Sequence, residues 1–196
     1  FFIIYNPLDS PEIREFIIIW RSLAKDNGLN DFYFVGKSAD NRKKNEMLEV
    51  GCNAVYNDDV FNIHHHLPLI QKVWHLLERK LFRFPTAFNY KDAIEYMISK
   101  DKDGSIDSIP VIAPNWDHSP RSGANAIILK NSKPQLFRKL VARALEIVNE
   151  KPNENQIILL KSWNEWGEGN YIEPDTEYGL GYLEALKECV AENRYL

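Results

Sequence analysis

The chain has 196 residues and a formal net charge of −4, with 44% hydrophobic and 27% charged residues. This balance excludes global disorder and fits one domain or a large piece of one; the acidic excess without a basic stripe excludes a general nucleic-acid binder. No apolar run is long enough to span a bilayer, and Cys52 and Cys189 stand too far apart for a metal-ligand pair or a disulfide framework, which points to a reducing, cytoplasmic setting.

The first residues, Phe1 to Tyr5, enter an apolar strand directly and without Met, so an upstream region carrying any targeting signal is expected. Asn6-Pro7 breaks that strand. Ser10-Pro11 reads as an N-cap with proline at the first helical position, followed at helical spacing by Ile13, Phe16, Ile17, Trp20, Leu23 and Ala24 and closed by Asn27-Gly28. Phe32 to Gly36 is the second strand and Ala54 to Tyr56 a short third. Helical patterns cover Leu67 to Lys80 and Tyr90 to Ile98, and Lys100 to Ser105 is a polar loop. Ile109 to Ala113 is a strand, Pro134 opens a helix, Ile157 to Leu160 is the last strand, and a helix covers Gly181 to Glu192.

Continuous apolar strands alternating with helices predict a parallel α/β sheet. Right-handed crossovers then bring all strand carboxyl ends to one face. Tyr5-Asn6, Lys37-Ser38, Asn57-Asp58-Asp59, Asn115-Trp116-Asp117 and Trp163-Asn164-Glu165 stand at those ends, where barrel enzymes keep their sites.

Residues 162 to 175 hold two Trp, two Gly and four carboxylates directly after a strand. Glu165 sits on the strand end, and Glu168 follows three residues on across Gly167. Glycosidic cleavage commonly uses two carboxyl groups, one to protonate the leaving oxygen and one on the sugar side. Trp163 and Trp166 would supply an apolar wall that pushes a carboxyl pKa upward and a face for a sugar ring.

Trp163-Asn164-Glu165-Trp166-Gly167-Glu168-Gly169, with Ile172-Glu173-Pro174-Asp175 and Gly181-Tyr182-Leu183, resembles the C-terminal signature of the WbsX-like family, which is related to glycoside hydrolase family 99. Asn115-Trp116-Asp117-His118-Ser119-Pro120-Arg121 is similar to that family's Trp-Asp-Asn-Thr-Pro-Arg segment, with His118-Ser119 in place of the commoner Asn-Thr. Tyr5-Asn6-Pro7 and Gly28-Leu29 before Phe32 to Gly36 are weaker matches, and Asn6 stands where Arg is frequent. The resemblance implies a (β/α)8 TIM-type barrel, of which this chain supplies about strands four to eight. It implies action on glycans of a bacterial surface polysaccharide, with neither metal nor cofactor. Glu168 would be the general acid/base. Glu165 would act as a base on the sugar 2-hydroxyl, retaining configuration through an anhydro-sugar. Trp116 and Arg121 would line the cleft, and Tyr5, Trp163, Asn164, Trp166, Asp117 and Glu173 complete the expected substrate-binding set.

Other signals are weighed against plainer readings. His64-His65-His66 suggests a metal, but adjacent side chains splay apart. Asp58-Asp59 would touch substrate or cap a loop. Gly179-Leu180-Gly181 is a turn rather than a dinucleotide fingerprint, Arg42-Lys43-Lys44 is a solvated face, and Asp101-Lys102-Asp103 is a solvated turn rather than a nucleotide-sugar metal motif. The alternatives to a hydrolase-like enzyme are a glycosyltransferase of lipopolysaccharide or capsule assembly and a non-catalytic glycan-binding domain. Open sheet edges would be covered by the missing first part of the barrel or by a second copy.

Overall fold

Phe34 and Val35 are neighbours in one strand, both fully buried, yet they belong to different cores. Successive strand side chains point to opposite faces, so the sheet is covered on both sides, as the continuous apolar runs require. The computed structural model describes residues 1–37, 41–57, 63 and 68–193. In chain order its strands are β1 (Phe2–Tyr5), β2 (Phe34–Lys37), β3 (Ala54–Tyr56), β4 (Thr86–Asn89), β5 (Val111–Ile112), β6 (Trp116–Asp117), β7 (Ile127–Lys130), β8 (Leu159–Leu160), β9 (Asn164–Glu165) and β10 (Asn170–Tyr171). The helices of six residues or more are α1 (Ile13–Asp26), α2 (Lys44–Glu49), α3 (Leu69–Leu77), α4 (Tyr90–Met97), α5 (Pro134–Asn149) and α6 (Gly181–Asn193).

Five stretches lie parallel and side by side in the order in which they occur. β1 pairs with β2 and β2 with β3. A parallel bridge between Val55 and Ser108 carries the arrangement onward, with Ile109 N–H donating to the Val55 carbonyl. β5 then pairs with β8, flanked by bonds from Leu159 N–H to Pro110 O and from Lys161 N–H to Ile112 O. One face packs on α1 and α2 through Ile13, Ile17, Phe34 and Met47. The inner face carries Val35, Ala54, Tyr56 and Ile109, with Val111, Ile157 and Leu159 against them. A larger core joins α4, α5 and α6 through Tyr90, Ile94, Phe137, Leu140, Ala144 and Tyr182.

Several expectations are corrected. The first α-helix begins at Ile13, not at Pro11; Pro7 opens a 3-10 turn instead, and the helix proper starts where its first buried side chain meets the sheet. Its end is as read: Leu29 N–H reaches back to Ala24 O, with Gly28 in the left-handed region. Residues 100–103 are a helical turn rather than loop, because Ser99 Oγ accepts from Lys102 N–H and Asp103 accepts from Ser99 N–H. Asp103 is thus a buried capping group. The sheet β4–β7–β6, with β6 antiparallel to β7, was not foreseen; strands of two to four residues leave little periodicity to detect. The Gly179 turn is as read, bridged to Asp175. His64-His65-His66, Asp58-Asp59 and Ser38 lie outside the described residues.

Lys44 reaches from α2 to the segment before β5, where its ammonium donates to Asp107, Ser105 Oγ and Ser108 Oγ. The Lys151 ammonium, whose pKa burial lowers, donates to Ser108 O at 2.6 Å. Burial alone would raise the Asp107 carboxyl, but hydrogen bonds from Lys44 and Ser105 and the Lys44 charge outweigh it and hold it below its usual value. A carboxylate favoured by folding contributes stability above its unfolded pKa of about 4, lost as pH falls through the lower folded-state value. Asp107→Asn is therefore expected to cost about 1–3 kcal/mol at neutral pH. In urea unfolding curves at stepwise lower pH, that difference shrinks as the wild-type carboxylate protonates.

Candidate active site

Side chains two apart on a strand share a face, and the last inward-facing residues of the five parallel stretches meet at one end. Tyr5, Lys37, Tyr56, Val111 and Lys161 line a cleft of about 500 Å3 there, together with His118, Ser162, Glu165 and Glu168. The cleft thus sits on the inner face at the carboxyl ends of the strands. Lys37 Nζ lies 4.2 Å from the centre of the Tyr5 ring, and Lys161 Nζ lies 4.8 Å from that of Trp116.

The two glutamates are delivered by a small hairpin. After β8 the chain passes the cis peptide Lys161–Ser162 and forms β9, which pairs antiparallel with β10 around a 3-10 turn at Trp166–Glu168. Gly169 closes the turn at φ 51°, and a Cβ there would stand 2.8 Å from Asp117 Cβ, so the position suits glycine alone. Ser162 Oγ accepts from Glu165 N–H and donates to Asn170 O. Asn170 is wholly buried, and its amide donates to Asn115 O at 2.6 Å and to Lys161 O at 3.0 Å. Asn115 Oδ1 in turn accepts from Tyr171 N–H. The loops after β5 and β8 are thereby sewn together.

Arg121 stands in a helical turn, Ser119–Ser122, after β6. Its Nη2 donates to Glu165 Oε1 at 2.8 Å and its Nη1 to Glu168 Oε1 at 2.9 Å. Both carboxylates are thus held by one guanidinium, whose planar fork fits two acceptors. His118 Nε2 lies 3.6 Å from the same Glu168 oxygen, and its Nδ1 lies 3.1 Å from Ser122 Oγ.

The expected residues fall into two groups. Tyr5, Glu165 and Glu168 line the cleft and Arg121 bridges the acids. The others do not line it. Trp116 is 1% exposed and packs in the core beneath Lys161 and beside His118, because its strand pairs with β7 rather than ending in the cleft. Asp117 caps the following turn through Ser119 N–H. Trp166 stacks on Tyr171 at 3.7 Å and donates to Glu173, so both serve the hairpin. Asn164 pairs with Tyr171 across the hairpin, and Trp163, half-exposed, stands outside the lining. Lys37 stands in the cleft as its strand-end position suggests, while Tyr56 and Lys161 are cleft residues that the sequence reading does not single out; strand parity counted from Ala54 and Leu159 finds them. Asn115 and Asn170 were missed as ties, and a polar residue beside apolar strand ends was their signal. No group of three His, Cys, Asp or Glu among the described residues is placed to hold a metal ion.

A family model described as Glycosyltransferase WbsX matches residues 1–186. A protein named WxcX from Xanthomonas campestris pv. campestris strain B100 is 23% identical over 190 residues, which are 96% of this chain and 26% of that protein. Its counterpart in strain ATCC 33913 is 29% identical over 82 residues, 41% of this chain and 12% of that protein. The chain thus spans about a quarter or less of the length of these relatives. Among solved structures, the GH99 endo-alpha-mannosidase from Bacteroides thetaiotaomicron shares the fold, with a TM-score of 0.51 at 16% identity, covering 99% of this chain and 54% of that one.

The ties between the loops make a clear prediction. Asn170→Ala takes the donor from one buried and one half-buried carbonyl and is expected to cost about 1–3 kcal/mol in chemical denaturation. Asn170→Asp is expected to be no better, since a carboxylate cannot donate to either carbonyl.

Proposed function

Because this chain belongs to the WbsX glycosyltransferase family, we propose that it is the part of a longer carbohydrate-active protein that breaks glycosidic bonds of a bacterial surface polysaccharide, with Glu165 and Glu168 as the reacting pair. One observation carries the reading: both carboxylates line the same cleft and share Arg121. The five parallel stretches are read as strands four to eight of a (β/α)8 barrel. Their side-by-side order supports this, as does the likeness to a GH99 chain of which they cover about half. The remaining strands would pair with β1, where Phe2 and Ile3 are exposed, and with β8, and would close the far wall of the cleft.

The chemistry follows from the pair. Glu165, on the strand-supported arm of the hairpin, takes the proton of the sugar 2-hydroxyl as O2 attacks C1. Glu168 gives its proton to the departing oxygen, leaving an anhydro-sugar. Glu168, now a carboxylate, accepts a proton from an incoming hydroxyl that opens the ring at C1, and Glu165 returns its proton to O2. Two inversions retain the configuration. Arg121 sets the distance and tilt of both groups and tempers the repulsion between them.

The second reading, transfer of a glycosyl group from a nucleotide sugar, is favoured by the family's description; the departing group is then a nucleoside diphosphate and the incoming hydroxyl a sugar's rather than water's. A bacterial surface polysaccharide panel, with α-mannosides as a reference, tests the first by mass spectrometry of the products, whereas tight binding of a nucleotide sugar in calorimetry would favour the second.

Glu168→Gln is expected to lower kcat about 10²- to 10⁴-fold while leaving the melting temperature and glycan binding intact. Turnover at wild-type rate by that variant, on a substrate the wild type demonstrably cleaves, would remove Glu168 from the reaction.

A further inference from the structure

We propose that α3 and the turn that follows it form a docking face for an anionic lipid surface, a role independent of how the cleft is read. An ordinary surface helix turns its apolar stripe inward. α3 does the reverse. Leu69, Ile70, Val73, Trp74, Leu76 and Leu77 are all exposed, at 77%, 79%, 48%, 61%, 39% and 44%, and no residue of the helix is buried. Its least exposed side chains are the polar ones: Lys72, His75 and Glu78 just beyond its end are half-buried. His75 lies edge-on to the ring of Phe88 and beside Glu78, toward the body of the protein. At about 100° per residue the six apolar side chains fall within roughly 160° of arc, which is one continuous outward stripe. The five-residue turn Glu78–Phe82 prolongs it with Leu81 and Phe82, and Phe84, stacked on Phe82, adds a further exposed ring.

Charge selects the occupant. Beside the stripe stand the exposed Arg79, Lys80 and Arg83 against one half-buried carboxylate, Glu78, a net of +2 in a chain whose net charge is −4. An apolar stripe with a cationic border and a tryptophan fits the interface of a bilayer with anionic headgroups, into which such a helix sinks about 5–10 Å. At nine residues α3 is too short to cross a bilayer and would lie along its surface. The open edges of the sheet are β1 and β8, whereas α3 lies away from both, in the connection between β3 and β5 in the middle of the strand order.

The test is flotation of the full chain with vesicles of phosphatidylcholine alone, or of phosphatidylcholine with about 30 mol% phosphatidylglycerol. The wild type is expected to float with the anionic vesicles and to remain behind with the neutral ones. Ile70→Asp combined with Leu81→Asp alters only exposed positions. It is expected to keep the circular dichroism spectrum and lose at least about tenfold in vesicle partition. Lys80→Glu with Arg83→Glu should lose several-fold. Brominated lipid should quench tryptophan fluorescence in the wild type and much less in Trp74→Phe, which keeps the face apolar and the test valid should the Asp variant fail to fold. No flotation with anionic vesicles, equal flotation with neutral ones, or quenching unchanged in Trp74→Phe overturns the proposal. So does a wild-type dimer that becomes monomeric in the Asp variant without lipid binding, since the occupant is then a second copy.

Discussion

The amide of Asn170 is the constraint on which the site rests. It is wholly buried, and with it the loop after β5 and the loop after β8 become one piece, through Asn115 O and Lys161 O. The first loop leads through β6 to Arg121, and the second carries the two glutamates. The geometry of three charged groups therefore depends on a neutral side chain that touches none of them. A buried amide that satisfies two carbonyls gives direction as well as attraction, and leaving it unmade would be expensive. Gly169 against Asp117 completes the seam, because only a residue without Cβ lets the backbones approach so closely.

The sheet supplies the position and the loops supply the chemistry. Five parallel stretches put their inward side chains in register, so aromatic and cationic groups from β1, β2, β3 and the residue after β8 converge although they are far apart in sequence. Side chains at strand ends sit on rigid support, whereas Glu165 and Glu168 sit on a hairpin of only two-residue arms. That hairpin is stiffened by Ser162, by Asn170 and by the Trp166–Tyr171 stack. Trp166 therefore braces the support from outside the cleft.

The sequence was most legible where one physical rule acts alone. Apolar runs alternating with helical periodicity reveal the parallel stretches, and Asn27-Gly28 reveals the end of α1. Glu165 and Glu168 are legible as neighbours because a glycine-containing turn after a strand lets two acids three residues apart face one cavity. What stayed hidden needed partners from elsewhere in the chain. Trp116 reads as a cleft residue from its motif, but its pairing with β7 decides that it faces the core. Asp103 reads as a solvated turn, yet a cap on Ser99 buries it. The outward stripe of α3 has a helix's ordinary periodicity; only the structure tells which side faces the protein.

The two cores on either side of β2 have a consequence for the way this chain can change. Phe34 fills one and Val35 the other. Adding or removing one residue within that strand would send each side chain to the opposite compartment and turn Lys37 away from the cleft. The strand can tolerate replacement but not a change in length, and so any growth or shrinkage of this half of the molecule is confined to the connections between strands.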